Sequence, residues 1–305
     1  MSVRVFIDGA AGTTGLEIRE RLAGRDDLSL VILEEARRKE PHARAEALND
    51  ADVVILCLPD DAAREAVAMI RNPRTRVIDA SSAHRVAAGW AYGFPELGFD
   101  VAGAMRVSNP GCYPTGFLAL VAPLVQAGLI PADWPLSVNA VSGYSGGGKA
   151  LIERFEAEPD LGFRDYGFGL VHKHVPEMQV HAGLAHAPIF APTVTRVFRG
   201  MIVEVPLPLA ALPRRPSRAA LLDVLHLTFD GQPVIRVHDG RPEELALHQD
   251  AAPTDALDLY VFTSPDEAQV RLVATLDNLG KGAGGAAVQN LNLMAGLDPL
   301  AGLRL

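Results

Sequence analysis

The segment from Val3 to Leu22 constrains the fold more than any other. An apolar run over residues 3–7 is followed by Gly9-Ala10-Ala11-Gly12-Thr13-Thr14-Gly15, then by Leu16, Ile18 and Leu22 at helical spacing with Glu17 and Glu20 in the first turns. Such a pattern reads as a buried strand, a tight turn and a helix. A strand feeding a helix through a glycine turn lets the backbone approach a pyrophosphate, whose charge the helix's N–H groups stabilise. The usual spacing is GxGxxG and this one is GxxGxxG, so a plain glycine turn competes with dinucleotide binding by Gly9, Gly12, Thr13, Thr14 and Gly15.

Further apolar runs at residues 28–33, 53–58 and 77–80, with a helical stretch over 61–71, continue the strand and helix alternation of a parallel sheet. The first ~110 residues therefore read as a doubly wound α/β unit of the Rossmann type. Past Cys112 the texture changes. A helix over 116–126 precedes strands at 136–141, 194–198, 201–207, 257–262 and 270–276, which favours an α+β domain with a mixed or antiparallel sheet. Residues 208–256 are rich in proline and charge, with one helix over 217–227, and a last helix covers 285–295. A chain of 305 residues fits two domains of roughly 150 each.

Composition narrows the function. The formal net charge of -9 would repel a phosphate backbone, and the basic residues form no stripe, which argues against nucleic acid as a partner. The longest apolar stretches, near residues 117–125, are about half the ~20 residues that a bilayer span needs, and no signal-peptide pattern precedes Val3. A soluble, cytoplasmic protein is expected. Cys57 and Cys112 are its only cysteines, so a disulfide framework is not expected.

Two stretches invite opposite cofactor readings. Glu34, at the end of the second strand, would accept a ribose 2'-hydroxyl and favour NAD, whereas Arg37, Arg38 and Lys39 would pair a 2'-phosphate and favour NADP. A solvated charged segment over 34–40 is an equal alternative.

The run Ser108-Asn109-Pro110-Gly111-Cys112-Tyr113-Pro114-Thr115-Gly116 sets a thiol between turn residues and an apolar helix. At a helix N-terminus the thiolate is favoured, lowering a pKa that starts near ~8.5 and making the sulfur nucleophilic. Cys57, inside an apolar strand, reads instead as an inert core thiol. His172-Lys173-His174-Val175-Pro176-Glu177 is a compact polar cluster suited to acid and base work, with His181 and His186 nearby. Their spacing matches no zinc pattern, so no metal is expected. Gly143 to Lys149 has the GxxxxGK spacing of a nucleotide phosphate loop, yet Ala150 stands where a Ser or Thr is needed for magnesium. Its backbone remains a candidate for a small anionic substrate.

Taken together, GAAGTTG at 9–15, SNPGCYPTG at 108–116, SGYSGGGK at 142–149, HKHVPEM at 172–178 and DNLGKGAGGAAVQNLNLM at 277–294 resemble the short type of N-acetyl-gamma-glutamyl-phosphate reductase, related to aspartate-semialdehyde dehydrogenase. The resemblance covers nearly the whole chain. It implies Cys112 as nucleophile and His174 as acid and base, with His172 as alternate. It also implies NADP, with NAD the less favoured cofactor, and a homodimer or homotetramer. The implied cofactor domain is 1–111, with residues 284–305 packing back on it, and the catalytic and oligomerisation domain is 112–283. Cofactor candidates are Ser81, Asn278 and Gly282 besides the glycine loop, Arg37 and Arg38; substrate candidates are Asn109, Ser142, Gly143, Lys149 and Arg85, with Lys173 a weaker one. The implied reaction belongs to arginine biosynthesis: thiolate attack on an acyl phosphate, loss of phosphate and hydride reduction of the thioester. Rivals are the same chemistry on aspartyl phosphate or a carrier-linked acyl phosphate, and, in another class, a non-catalytic NADP-binding redox sensor.

Overall fold

The computed structural model describes residues 2–34, 37, 38 and 40–305, so Lys39 and the middle of the charged stretch lie outside the described residues. Two compact units result: Met1–Gly111 with Ala283–Leu303, and Cys112–Gly282 with Arg304–Leu305.

The first unit holds a six-stranded parallel sheet. Its strands are β1 (Val3–Asp8), β2 (Leu28–Val31), β3 (Val53–Leu56), β4 (Arg76–Asp79), β5 (Ala91–Tyr92) and β6 (Arg106–Ser108), in the order β2-β1-β3-β4-β6-β5. The order reverses at β1, where the crevice outside the strand ends takes ligands in sheets of this kind. Helices cover both faces, which is why the strands are near-continuous apolar runs. Val5, Ile7, Val53 and Ile55 turn toward α1 (Thr13–Leu22) and the last helix of the chain, while Phe6, Val54 and Leu56 turn toward α2 (Pro41–Asp50) and α3 (Asp60–Met69). The sequence pattern missed α2. Its inward positions are Ala43, Ala47 and Leu48, two of them too small to give a strong apolar period. Helix α1 starts at Thr13, so Glu17 falls past its first turn, which holds no acidic side chain; Glu17 is buried and pairs with Arg21.

The second unit holds a seven-stranded mixed sheet in the order β11-β12-β13-β10-β7-β9-β8. Its strands are β7 (Ser137–Gly143), β8 (Phe163–Asp165), β9 (Ile189–Thr195), β10 (Met201–Leu207), β11 (Ile235–His238), β12 (Leu257–Thr263) and β13 (Val270–Leu276). The strand expected over 194–198 instead ends at Thr195, because Val197 N–H turns back to the Thr195 carbonyl and the carbonyls of Val197, Phe198 and Gly200 accept from the end of β7 and the turn after it. One face is covered by α4 (Cys112–Gln126), α6 (Val175–His181) and α7 (Arg218–Phe229), while α5 (Gly148–Ala157) follows β7 through a short 3-10 turn. Gly116 lets α4 lie close on the sheet: a Cβ there would stand 2.8 Å from a Val203 methyl. The closing helix α8 (Gly285–Ala295) is preceded by a π turn, Gly280–Gly284, and packs in the first unit on α1, β3 and β4. Arg304, by contrast, bonds Asp255 in the second unit.

Candidate active site

In the first unit, a cleft of about 720 Å³ opens beside the glycine loop. Gly9 sits at φ +89°, and a Cβ on it would lie 2.2 Å from the Cys57 carbonyl oxygen. Gly15 is equally confined, 2.5 Å from the Gly9 oxygen by the same measure. Helix α1 starts on Gly12 with no side-chain cap. The lining brings in Gly9, Gly12, Leu33 and Arg38 together with Arg19 and Arg44, set against Asp8 and Glu65. Glu34 and Arg37 do not line it; both are exposed, and Arg37 reaches Glu40 at 3.7 Å. Cys57 borders the cleft, and burial, followed by the Asp79 and Asp8 charges, pushes its thiol up to about 12.

Three further predicted residues meet at the carboxyl ends of β4 and β6. Ser81 donates its hydroxyl and its N–H to the Asp79 carboxylate, at 2.7 and 2.9 Å. Arg85 is buried and donates to the carbonyls of Asn109 and Ala80. Asn109, 1% exposed, donates its N–H to the Asp79 carbonyl and its amide to the Ala283 carbonyl, and accepts from Asn290. Sequence reasoning missed His84. Its Nδ1 lies 2.6 Å from the Asp79 carboxylate and its ring stacks on Trp90 at 4.1 Å.

In the second unit Cys112 is the first residue of α4, a helix with no acidic residue in its first turn. Gly282 stands against it, since a Cβ there would lie 2.9 Å from Cys112 Cβ. The turn that brings Gly282 in is organised by Asp277, whose carbonyl accepts the N–H groups of Gly280 and Gly282 and whose carboxylate pairs with Arg199 at 2.9 Å. The next residue in sequence from Cys112, Tyr113, packs on the rings of His172, His174 and Phe190 at 6.2, 5.8 and 5.0 Å. Tyr166 joins the cluster, its ring 5.7 Å from His172 and its hydroxyl 3.4 Å from that of Tyr113.

The remaining predicted residues of this unit are bonded within it. Asn278 accepts from Gly200 N–H and donates to Ser145 Oγ, and Ser142 donates to the Gly143 carbonyl. The N–H groups of Gly143, Tyr144 and Ser145 are given to the carbonyls of Gly200, Val197 and Phe198, so the phosphate-loop spacing produces a stitched turn. Lys149 is exposed on α5 near Glu153, and Lys173 is exposed beside the histidines. Among the described residues, no group of three or more His, Cys, Asp or Glu side chains is placed to hold a metal.

Comparison with known proteins agrees with this arrangement. Residues 35–105 match the semialdehyde dehydrogenase NAD binding domain, and residues 112–278 the semialdehyde dehydrogenase dimerisation domain. The chain is 51% identical to N-acetyl-gamma-glutamyl-phosphate reductase 2 of Pseudomonas putida, covering 96% of each chain. It is 52% identical to N-acetyl-gamma-glutamyl-phosphate reductase of Brucella ovis, over 97% of this chain and 100% of that one. The chain belongs to the N-acetyl-gamma-glutamyl-phosphate reductase family. Solved structures agree on the fold: aspartate semialdehyde dehydrogenase II of Vibrio cholerae in complex with ASA superposes with a TM-score of 0.72 at 17% identity, covering 97% of this chain and 98% of that one. A probable aspartate-semialdehyde dehydrogenase of Pseudomonas aeruginosa gives the same TM-score, 0.72, at 17% identity, over 97% and 99% of the two chains.

Within this reductase family member, the geometry separates the two histidines. The N–H of His174 donates to His172 Nδ1 at 3.2 Å. An accepting Nδ1 places the proton of a neutral His172 on Nε2, leaving that ring a donor. His174, 6% exposed at the start of α6, carries no such constraint from this bond. Tyr113 and Tyr166 are the residues that motif reading passed over. Burial raises both hydroxyls above the usual phenol range, Tyr113 strongly, and the nearby Cys112 charge pushes the same way. Both stay protonated donors at neutral pH. No sequence signal marks Tyr166, because its role depends on a loop folding back over a helix that begins more than 50 residues earlier. Lys281, 2% exposed beside Gly282, was also missed, since a lysine among glycines reads as a surface charge.

Proposed function

We propose that this chain reduces N-acetyl-gamma-glutamyl phosphate to N-acetylglutamate 5-semialdehyde with release of phosphate, in arginine biosynthesis, using NADPH and a thioester on Cys112. The observation that carries the reading is the thiol at the start of α4, backed by Gly282 and flanked, through Tyr113, by the His172 and His174 rings. A helix start favours the thiolate, and an adjacent imidazole gives its proton somewhere to go.

The Cys112 proton passes to the His174 imidazole. Cys112 Sγ then attacks the acyl carbon, and the bond from that carbon to the phosphate oxygen breaks, releasing inorganic phosphate, which takes up a proton from solvent. A nicotinamide cofactor, when bound, supplies hydride to the thioester carbon. The tetrahedral species on Cys112 collapses with cleavage of the C–S bond, the aldehyde leaves, and the thiolate regains its proton from His174. The Tyr113 and Tyr166 hydroxyls, which burial keeps protonated, donate to the substrate's oxygens.

The cleft residues fit a dinucleotide. Gly9 and Gly15 have no space for a side chain, the uncapped start of α1 favours an anion, and Arg38 supplies positive charge where Glu34 is turned away. Arg38 in the lining supports NADP over NAD. Ser81 is offered to the cofactor, and Asn109 and Arg85, buried at the carboxyl ends of β4 and β6, are the first unit's candidates for holding the acyl phosphate.

A second copy of the chain covers the open face of the second sheet. That face presents Val141 and the stacked rings of His238, Tyr260 and Phe262, and the match over 112–278 is to a dimerisation domain. No described helix is long and apolar enough to cross a membrane, and a cytoplasmic location suits the reaction.

The test is Cys112→Ala: phosphate-dependent oxidation of N-acetylglutamate semialdehyde should vanish while cofactor binding persists, and unchanged turnover would refute the covalent route. Side-by-side kcat/KM on aspartate semialdehyde decides the acyl group.

A further inference from the structure

We propose that Arg44, held in place by Asp8, is the residue by which this chain tells a cofactor with a 2'-phosphate on its adenosine ribose from one without. The inference rests on the assignment of the glycine-loop cleft to a dinucleotide, and it adds the specificity determinant.

Arg44 lies at the end of the first turn of α2 and points back to the end of β1. Its Nε and Nη2 both donate to Asp8 Oδ2, at 3.2 and 2.9 Å. The two side chains are enclosed, 13% and 8% exposed, and both line the cleft with the glycine loop. Asp8 itself is anchored, since it is the last residue of β1 and its carbonyl accepts the Cys57 N–H. The pair leaves the Nη1 amino group of Arg44 outside the contact.

A guanidinium already ordered by a fixed carboxylate loses little freedom when it takes a phosphate, and its planar fork suits that ligand. Among the described residues the lining sets three arginines, Arg19, Arg38 and Arg44, against Asp8 and Glu65, and past β2 it takes in Ile32 and Leu33 but not the exposed Glu34. Arg38 adds charge from an exposed position. Asp8 also makes the device sensitive. With Arg44 gone, a poorly solvated carboxylate is left in the cleft and repels the same phosphate that the arginine would hold.

The experiment is titration calorimetry of the full chain with adenosine 2',5'-bisphosphate and with 5'-AMP. Wild type should prefer the bisphosphate. Arg44→Leu should weaken the bisphosphate by about ten- to a hundredfold, as loss of a charge-assisted bond does, and leave 5'-AMP unchanged. Adding Asp8→Asn to Arg44→Leu should recover part of that loss. Arg44→Lys keeps the charge without the fork, so it reads the same selectivity should the leucine variant fail to fold. The ratio of kcat/KM for NADPH to that for NADH should fall in step. Retained preference in Arg44→Leu and Arg44→Lys, or equal loss on both nucleotides, overturns the role of Arg44. Wild type that binds neither nucleotide overturns the cofactor assignment with it.

Discussion

At the scale of single residues, the two cysteines show how environment divides one chemistry. Cys57 is held neutral by burial and by two carboxylates, whereas Cys112 opens a helix next to Tyr113, on whose ring the His172 and His174 imidazoles pack. Iodoacetamide at pH 8 should label Cys112 and leave Cys57, as peptide mass mapping would record; labelling of Cys57 first would contradict this assignment. The raised Cys57 value also sets a stability trend. The folded state keeps this thiol protonated while the unfolded chain ionises it in the ordinary thiol range, so its contribution is intact below that range and is lost as pH climbs toward 12. Urea unfolding between pH 9 and 12 should therefore show a steeper loss in wild type than in Cys57→Ala. His174→Asn should lower kcat about 10²- to 10⁴-fold, the usual worth of a general acid and base, with the fold retained by circular dichroism. His172→Asn should cost less, because His172 Nδ1 is already committed to the His174 N–H. If the histidine effects are reversed, the two roles are exchanged.

At the scale of elements, the turn after β4 and the helix α8 hold the first unit's ligand edge in shape. His84→Phe keeps the stack on Trp90 but removes the bond to the buried Asp79, whose carboxylate also orders Ser81. It should cost about 1–3 kcal/mol in urea unfolding, whereas His84→Asn should restore the bond to Asp79 and lose the stack. Leu291, fully buried on α8 in the core that also holds Ile18 and Val107, should cost about 2–5 kcal/mol when changed to Ala. The elements legible in sequence were those with a strong period or a strong turn: β1 with its glycine loop, β2, β3, β4, α4 and α8, whereas β5 and β6 span only two and three residues. Helix α2 was hidden by its small inward residues, and β8 and β11 are edge strands of three and four residues with too few positions to show a period. Candidate site residues within a motif, such as Cys112 and His174, could be named for the same reason. Arg44, His84 and Tyr166 were not, because each owes its place to a partner 36, 5 or 53 positions away that only the folded chain supplies.

At the scale of the whole molecule, one unit carries the cofactor cleft and the other the thiol, so turnover reports on both. The chain should sediment as a multiple of 32.5 kDa, two or four copies, at the concentrations used for assay. A sedimentation profile of monomers alone would leave the open sheet face without its proposed cover. Saturating NADP should raise the unfolding free energy by about 2.7 kcal/mol at a hundredfold excess over Kd, since a ligand bound only by the native state stabilises it by mass action. The most direct test of covalent catalysis is a single turnover with N-acetylglutamate semialdehyde and NADP in the absence of phosphate, followed by intact-protein and peptide mass spectrometry. One equivalent of reduced cofactor should form per active chain, together with one N-acetylglutamyl group on the peptide that contains Cys112, and added phosphate should discharge it. Reduced cofactor formed with no acyl group on that peptide, or with the group on another residue, would contradict the account.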